Sequence, residues 1–66
     1  MNNVVTVRLV DWVKIRDNLT RYKIKINGDG SIVIMFSREI DAMMFRLMYA
    51  DEIARCIKIK QEQAPL

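Results

Sequence analysis

The four residues Asn27-Gly28-Asp29-Gly30 constrain this chain more than any other segment. Two glycines and two short polar side chains in a row are the chemistry of a tight reversal. Before them Tyr22, Ile24 and Ile26 alternate with Lys23 and Lys25, and after them residues 32–36 (IVIMF) form an apolar run of strand length. The pattern predicts a β-hairpin. A three-residue Gly28-Asp29-Gly30 loop, with Gly30 in the left-handed region, sets Ile26 opposite Ile32 and Ile24 opposite Ile34. That register gathers Ile and aromatic side chains on one face. A four-residue loop shifts the pairing by one and puts Val33 and Met35 there instead.

The remaining periodicity builds outward from the hairpin. Residues 4–10 (VVTVRLV) place Val5, Val7 and Leu9 on one parity and Thr6 and Arg8 on the other, which predicts a half-buried strand. Asp11 breaks that alternation and can cap a helix. Trp12, Ile15 and Leu19 then recur at helical spacing, so a short amphipathic helix is expected from about 11 to 20. Ser37 suits a helix N-cap, and Glu39 and Asp41 fall where the helix dipole favours acids. This second helix is expected over 38–50 or somewhat beyond. Residues 56–60 (CIKIK) alternate again and read as a last strand.

The resulting order is β-α-β-β-α-β, the ferredoxin-like α+β pattern. It implies an antiparallel sheet in the order 4-1-3-2 with two helices on one face. In the alternative, 51–60 continues the second helix and leaves a three-stranded α+β fold. Residues 1–60 are expected to make a single small domain, with 61–66 as a polar tail containing Pro65.

Length bears on function here. A chain of 66 residues allows one domain, and a domain that small buries only roughly 60% of its unfolded surface. Oligomerisation or a partner is therefore expected. There is no His and one Cys. Ser-His and Cys-His dyads cannot form within the chain, nor can an internal disulfide or a Cys-based zinc site. We expect no enzyme activity, no cofactor and no metal. A domain without disulfides fits a reducing cytoplasm. Residues 1–12 lack the layout of a signal peptide, and no apolar run approaches the ~20 residues that span a bilayer.

The residues offer four candidate sites. The sheet face away from the helices is expected to gather Arg8, Lys23, Lys25, Lys58 and Lys60, part of a net charge of +3. Five cations could hold phosphate oxygens. That face carries no aromatic on which a base could stack, and edge lysines also keep strands from aggregating.

The second helix is apolar on two sides. Ile40, Met43, Met44, Leu47 and Ala50 fall on one, and Ala42, Phe45 and Tyr49 nearly opposite, with Met48 between. One side must pack on the sheet, and the other is left for a partner unless the first helix and the tail cover it. The pattern does not decide which side is core; Ala42 permits close approach and slightly favours the 42/45/49 side facing in. The expected docking residues are Met44, Phe45, Met48 and Tyr49.

Asn27-Gly28-Asp29-Gly30 fits a calcium loop poorly. In that frame Lys25 takes the first ligand position and Phe36 the twelfth. The carboxylates Asp11, Asp17, Asp41, Asp51 and Glu52 flank helices and do not converge, and Cys56 reads as a small buried hydrophobe.

One segment carries a resemblance. Residues 36–49 (FSREIDAMMFRLMY) are similar to small, mostly uncharacterised proteins of tailed bacteriophages, in which a strand ending in Phe leads into D-A-x-x-F-[KR]-L and an aromatic. The usual closing Gly is missing, since Tyr49 is followed by Ala50-Asp51. The resemblance implies a phage origin and life in a bacterial cytoplasm; it supplies no activity. The expectation is a non-enzymatic interaction module that docks onto itself, a host protein or a virion protein through an apolar helix face or a sheet edge. Nucleic-acid binding through the basic sheet face is the alternative.

Overall fold

The computed structural model describes residues 3–62, with side-chain surroundings given for 3–58. The elements are β1 (Val4–Arg8), α1 (Leu9–Ile15), a 3-10 turn (Arg16–Asn18), β2 (Tyr22–Ile26), β3 (Ser31–Phe36), α2 (Glu39–Met48) and α3 (Ala50–Glu62). This is an α+β fold with one antiparallel sheet in the order β1-β3-β2.

The hairpin has the register of the three-residue loop. Ile26 pairs with Ile32 and Ile24 with Ile34. Gly30 has φ +86°, a conformation that glycine adopts without a Cβ penalty. Asp29 Oδ1 accepts hydrogen bonds from Ser31 N (3.1 Å) and Ser31 Oγ (2.6 Å), and Asn27 Nδ2 donates to Ser31 Oγ at 3.0 Å. Those bonds satisfy the polar groups of the turn.

Val5 and Val7 of β1 lie opposite Ile34 and Ile32 of β3, so one sheet face carries a continuous apolar layer. Trp12 and Ile15 of α1 and Ala42 and Phe45 of α2 close over it. Trp12 meets Tyr22 edge to face with centroids 5.2 Å apart, and Phe45 lies between Phe36 (5.5 Å) and Tyr49 (4.8 Å). Such pairs add to the burial of their rings.

Four expectations need correction. The second helix has Arg38 rather than Ser37 at its N-cap position. The first helix opens at Leu9, with Arg8 at the N-cap position, rather than at Asp11. Leu9 is thereby turned out of the β1 alternation and is exposed, while its N–H donates to the Gly30 carbonyl at 2.9 Å. The fourth strand of the ferredoxin-like pattern is not formed, because residues 50–62 are helical and the order is β-α-β-β-α-α. Ala50, Glu52, Ala54 and Arg55 are strong helix formers, and Ile53, Cys56 and Ile57 recur at helical spacing. Finally, Gln61 and Glu62 continue α3 rather than begin a tail; residues 63–66 lie outside the described residues.

The new helix takes the place intended for the missing strand. Val4, Val5 and Thr6 point to both faces of the sheet, yet they share one groove of about 310 Å³ with Ile53, Cys56 and Ile57. Hence α3 runs alongside the outer edge of β1. Cys56 is buried there, and Ile53 packs against the core.

Candidate functional site

α2 is short, and its ten residues divide sharply. Ala42 and Phe45 are buried at 0% and 2% exposure. Ile40, Met43, Met44, Leu47 and Met48 are exposed, Leu47 at 78% and Met48 at 64%. Glu39 is the only other exposed residue of the helix. Five of its six exposed positions are therefore apolar, the reverse of an ordinary surface helix. Large exposed apolar patches on small domains mark interaction surfaces.

The local reason lies in side-chain size. Ala42 lets the α2 backbone approach the sheet, and Phe45 then fills the space above Phe36. Ile40, Met43 and Leu47 sit on the opposite side by helical geometry. Arg38 closes one end of the patch, donating to Asp41 through Nε (3.1 Å) and Nη2 (3.2 Å). Arg46 Nη2 donates to the Val4 carbonyl at 3.3 Å and ties α2 to β1. Beside the patch, Met44, Met48, Tyr49 and Leu19 help to line a shallow groove of about 140 Å³.

The four expected docking residues thus separate. Met44 and Met48 are on the open surface, Phe45 is core, and Tyr49 is half-buried against Phe45. Ile40, Met43 and Leu47 belong to the same stripe as Met44 but are not among the expected docking residues. Ala42 is the signal that could have assigned the stripes, because a small residue marks the side of closest approach.

The five basic residues are also dispersed. Lys23 and Lys25 are exposed on β2, opposite Met35 and Val33. Arg8 instead grips Asp11, with Nε at 2.7 Å and Nη2 at 3.1 Å. Lys58 is exposed on α3, beyond the other edge of the sheet; the side chain of Lys60 lies outside the described residues. Among the described residues the outer sheet face, Val4, Thr6, Arg8, Lys23, Lys25, Ser31, Val33 and Met35, has no aromatic.

Asp11 is the buried charge among the described residues, with its side chain 4% exposed. Besides Arg8, it has Arg55 Nη1 at 3.6 Å, and Arg55 also reaches Glu52 at 3.8 Å. The Arg8 hydrogen bonds hold the Asp11 carboxyl below the usual carboxylate range; burial opposes this, and the charges of Arg8, Arg55 and Lys14 reinforce it. This cluster joins the end of β1, α1 and α3 and is structural in geometry. Among the described residues no group of His, Cys, Asp or Glu could hold a metal ion, and no helix is long and apolar enough to cross a membrane. No protein-family model, curated protein or solved structure matches this chain.

Proposed function

We propose that this chain is a small non-enzymatic interaction module that docks through the exposed face of α2. One observation carries the reading: Ile40, Met43, Met44, Leu47 and Met48 together leave a contiguous apolar surface on a helix that already buries its other side. Three of the five are methionines, whose flexible thioethers fit irregular partner surfaces. Phe45 supports the patch from beneath as core. The setting we propose is an infected bacterial cell, in which the chain acts as a modulator of a host protein or as a virion component.

Leu47→Glu provides the test. Wild-type protein and the variant, both folded by circular dichroism, are used to capture proteins from a bacterial lysate and are sized in solution. The reading requires a protein contact, with itself or with another chain, that the variant loses. Identical contacts for both proteins, or none for either, would refute it.

Nucleic-acid binding through Arg8, Lys23, Lys25, Lys58 and Lys60 has weaker support, since Lys23 and Lys25 stand apart from Lys58 and Arg8 is engaged by Asp11. That reading requires a gel shift at low salt that Lys23→Glu removes and rising salt weakens steeply.

A further inference from the structure

We infer that the free edge of β2 takes up an antiparallel strand from a partner protein, one whose residues alternate between apolar and acidic. This surface is separate from the α2 face, and neither reading depends on the other.

β2 pairs with β3 alone, whereas α3 lies along the outer edge of β1. Which groups β2 leaves open follows from its ladder. The Asn27 N–H donates to the Ser31 carbonyl (2.9 Å) and the Ser37 N–H to the Arg21 carbonyl (3.0 Å). Hydrogen-bonded positions alternate along an antiparallel pair, so between those ends Lys23 and Lys25 turn their backbone groups to β3. The N–H and C=O of Tyr22, Ile24 and Ile26 point outward, and among the described residues no backbone bond outside the sheet reaches them. A row of open donors and acceptors is what an added strand pairs with.

The side chains state what that strand must carry. Ile24 and Ile26 lie opposite Ile34 and Ile32, on the core face, yet they are 38% and 66% exposed. The buried layer of that face thus ends short of its edge, and apolar side chains on a neighbouring strand extend it. On the other face Lys23 and Lys25 are exposed, and no ion pair among the described residues engages either. Residues directly opposite on adjacent strands interact, so acids are favoured beside them and cations are not.

The same rule separates the possible occupants. An antiparallel β2–β2 pair centred on Ile24 sets Lys23 opposite Lys25 of a second copy, and Lys25 opposite its Lys23. β1 (VVTVR) and β3 (SIVIMF) contain no acid either. No strand of this chain supplies the complement, so the occupant is a segment of another protein. Repulsion of its own kind and attraction of an acidic strand together make the edge selective. Phosphate groups would use the two lysines but neither the open backbone groups nor the isoleucines.

The probe is a capped peptide alternating Val and Glu, added to the full, unaltered chain. Binding is expected to slow hydrogen exchange at the Tyr22, Ile24 and Ile26 amides about tenfold, read by nuclear magnetic resonance. The matching peptide with Lys in place of Glu is expected to bind about tenfold more weakly. In this pairing the valine N–H groups face β2. N-methylation of the valines is therefore expected to abolish binding, and N-methylation of the glutamates to spare it. The double variant Lys23→Glu, Lys25→Glu is expected to reverse the preference between the two peptides, a result that loss of folding cannot produce.

No slowing at the three amides with up to about 1 mM of the Val/Glu peptide overturns the proposal. So does binding that methylated valines leave intact. Equal affinity for the Glu and Lys peptides overturns the acidic partner. An oligonucleotide that binds more tightly than the peptide and leaves the three amides unprotected would assign the lysines to phosphate and overturn the strand.

Discussion

The two sides of α2 have nearly the same hydropathy and opposite fates. Ala42 and Phe45 are sealed against the sheet, while Ile40, Met43, Met44, Leu47 and Met48 face outward. Hydrophobicity alone therefore did not choose the core side. Shape chose it: a small residue allows close approach, and an aromatic ring one turn on fills the gap. The outward side holds linear and branched aliphatic side chains with no small residue among them. The lesson is that on a helix apolar on two sides, the small residue identifies the inside and the other side is available for contact.

The contrast can be broken most forcefully from the inside. Phe45→Ser removes a side chain that touches Phe36 and Tyr49 and should cost on the order of 4 kcal/mol, enough to unfold much of a domain this small, as urea titration would show. The outside counterpart, Leu47→Glu, should leave the urea midpoint in place and act on association alone. An unfolded Leu47→Glu protein, or a stable Phe45→Ser protein, would reverse the assignment of the two sides.

The next effect concerns the frame that carries α2. Asp11→Asn gives up the charged bonds to Arg8 and the contact with Arg55, and should cost about 2 kcal/mol. Because the Asp11 carboxyl titrates lower when folded than when unfolded, its contribution is fully present above the ordinary carboxylate range. It is lost as pH falls through the depressed folded value. Acid titrations of stability should show that loss in wild type and a shallower one in Asp11→Asn. Gly30→Ala is smaller: a Cβ there has open space around it, so the penalty is conformational only, about 1 kcal/mol from the left-handed backbone. Equal stability of the Ala variant, by thermal melting, would mean the loop relaxes to another turn.

Much of this fold was legible in the residues, and the reasons are local. The hairpin followed from its turn residues, but its register was open between a three- and a four-residue loop; the positive φ of Gly30 goes with the three-residue loop that pairs Ile24 with Ile34. The inward side of α2 was left open: Ala42 slightly favoured the 42/45/49 side, yet Phe45 and Tyr49 stood among the expected docking residues, and Phe45 is core. The last segment misled because Ile57 and Ile59 are two apart, which suits a strand, while Ile53, Cys56 and Ile57 also suit a helix. The contact with β1 buries Cys56 and half-buries Ile53, an outcome that no short alternation could reveal. The candidate site was half legible. Met44 and Met48 are on the surface as expected, but the aromatics that make a tempting interface are the ones the core uses.

The placement of α3 along β1 has a consequence for how sheets grow. An open sheet normally offers two ports for an incoming strand, and a molecule with two ports can relay pairing from neighbour to neighbour into a fibre. Here a helix plugs one port, and β2, with its lysines, is left as the other. Edge-to-edge joining can then link one molecule to one neighbour and go no further. The fold terminates a ladder where a four-stranded version would have left it able to propagate.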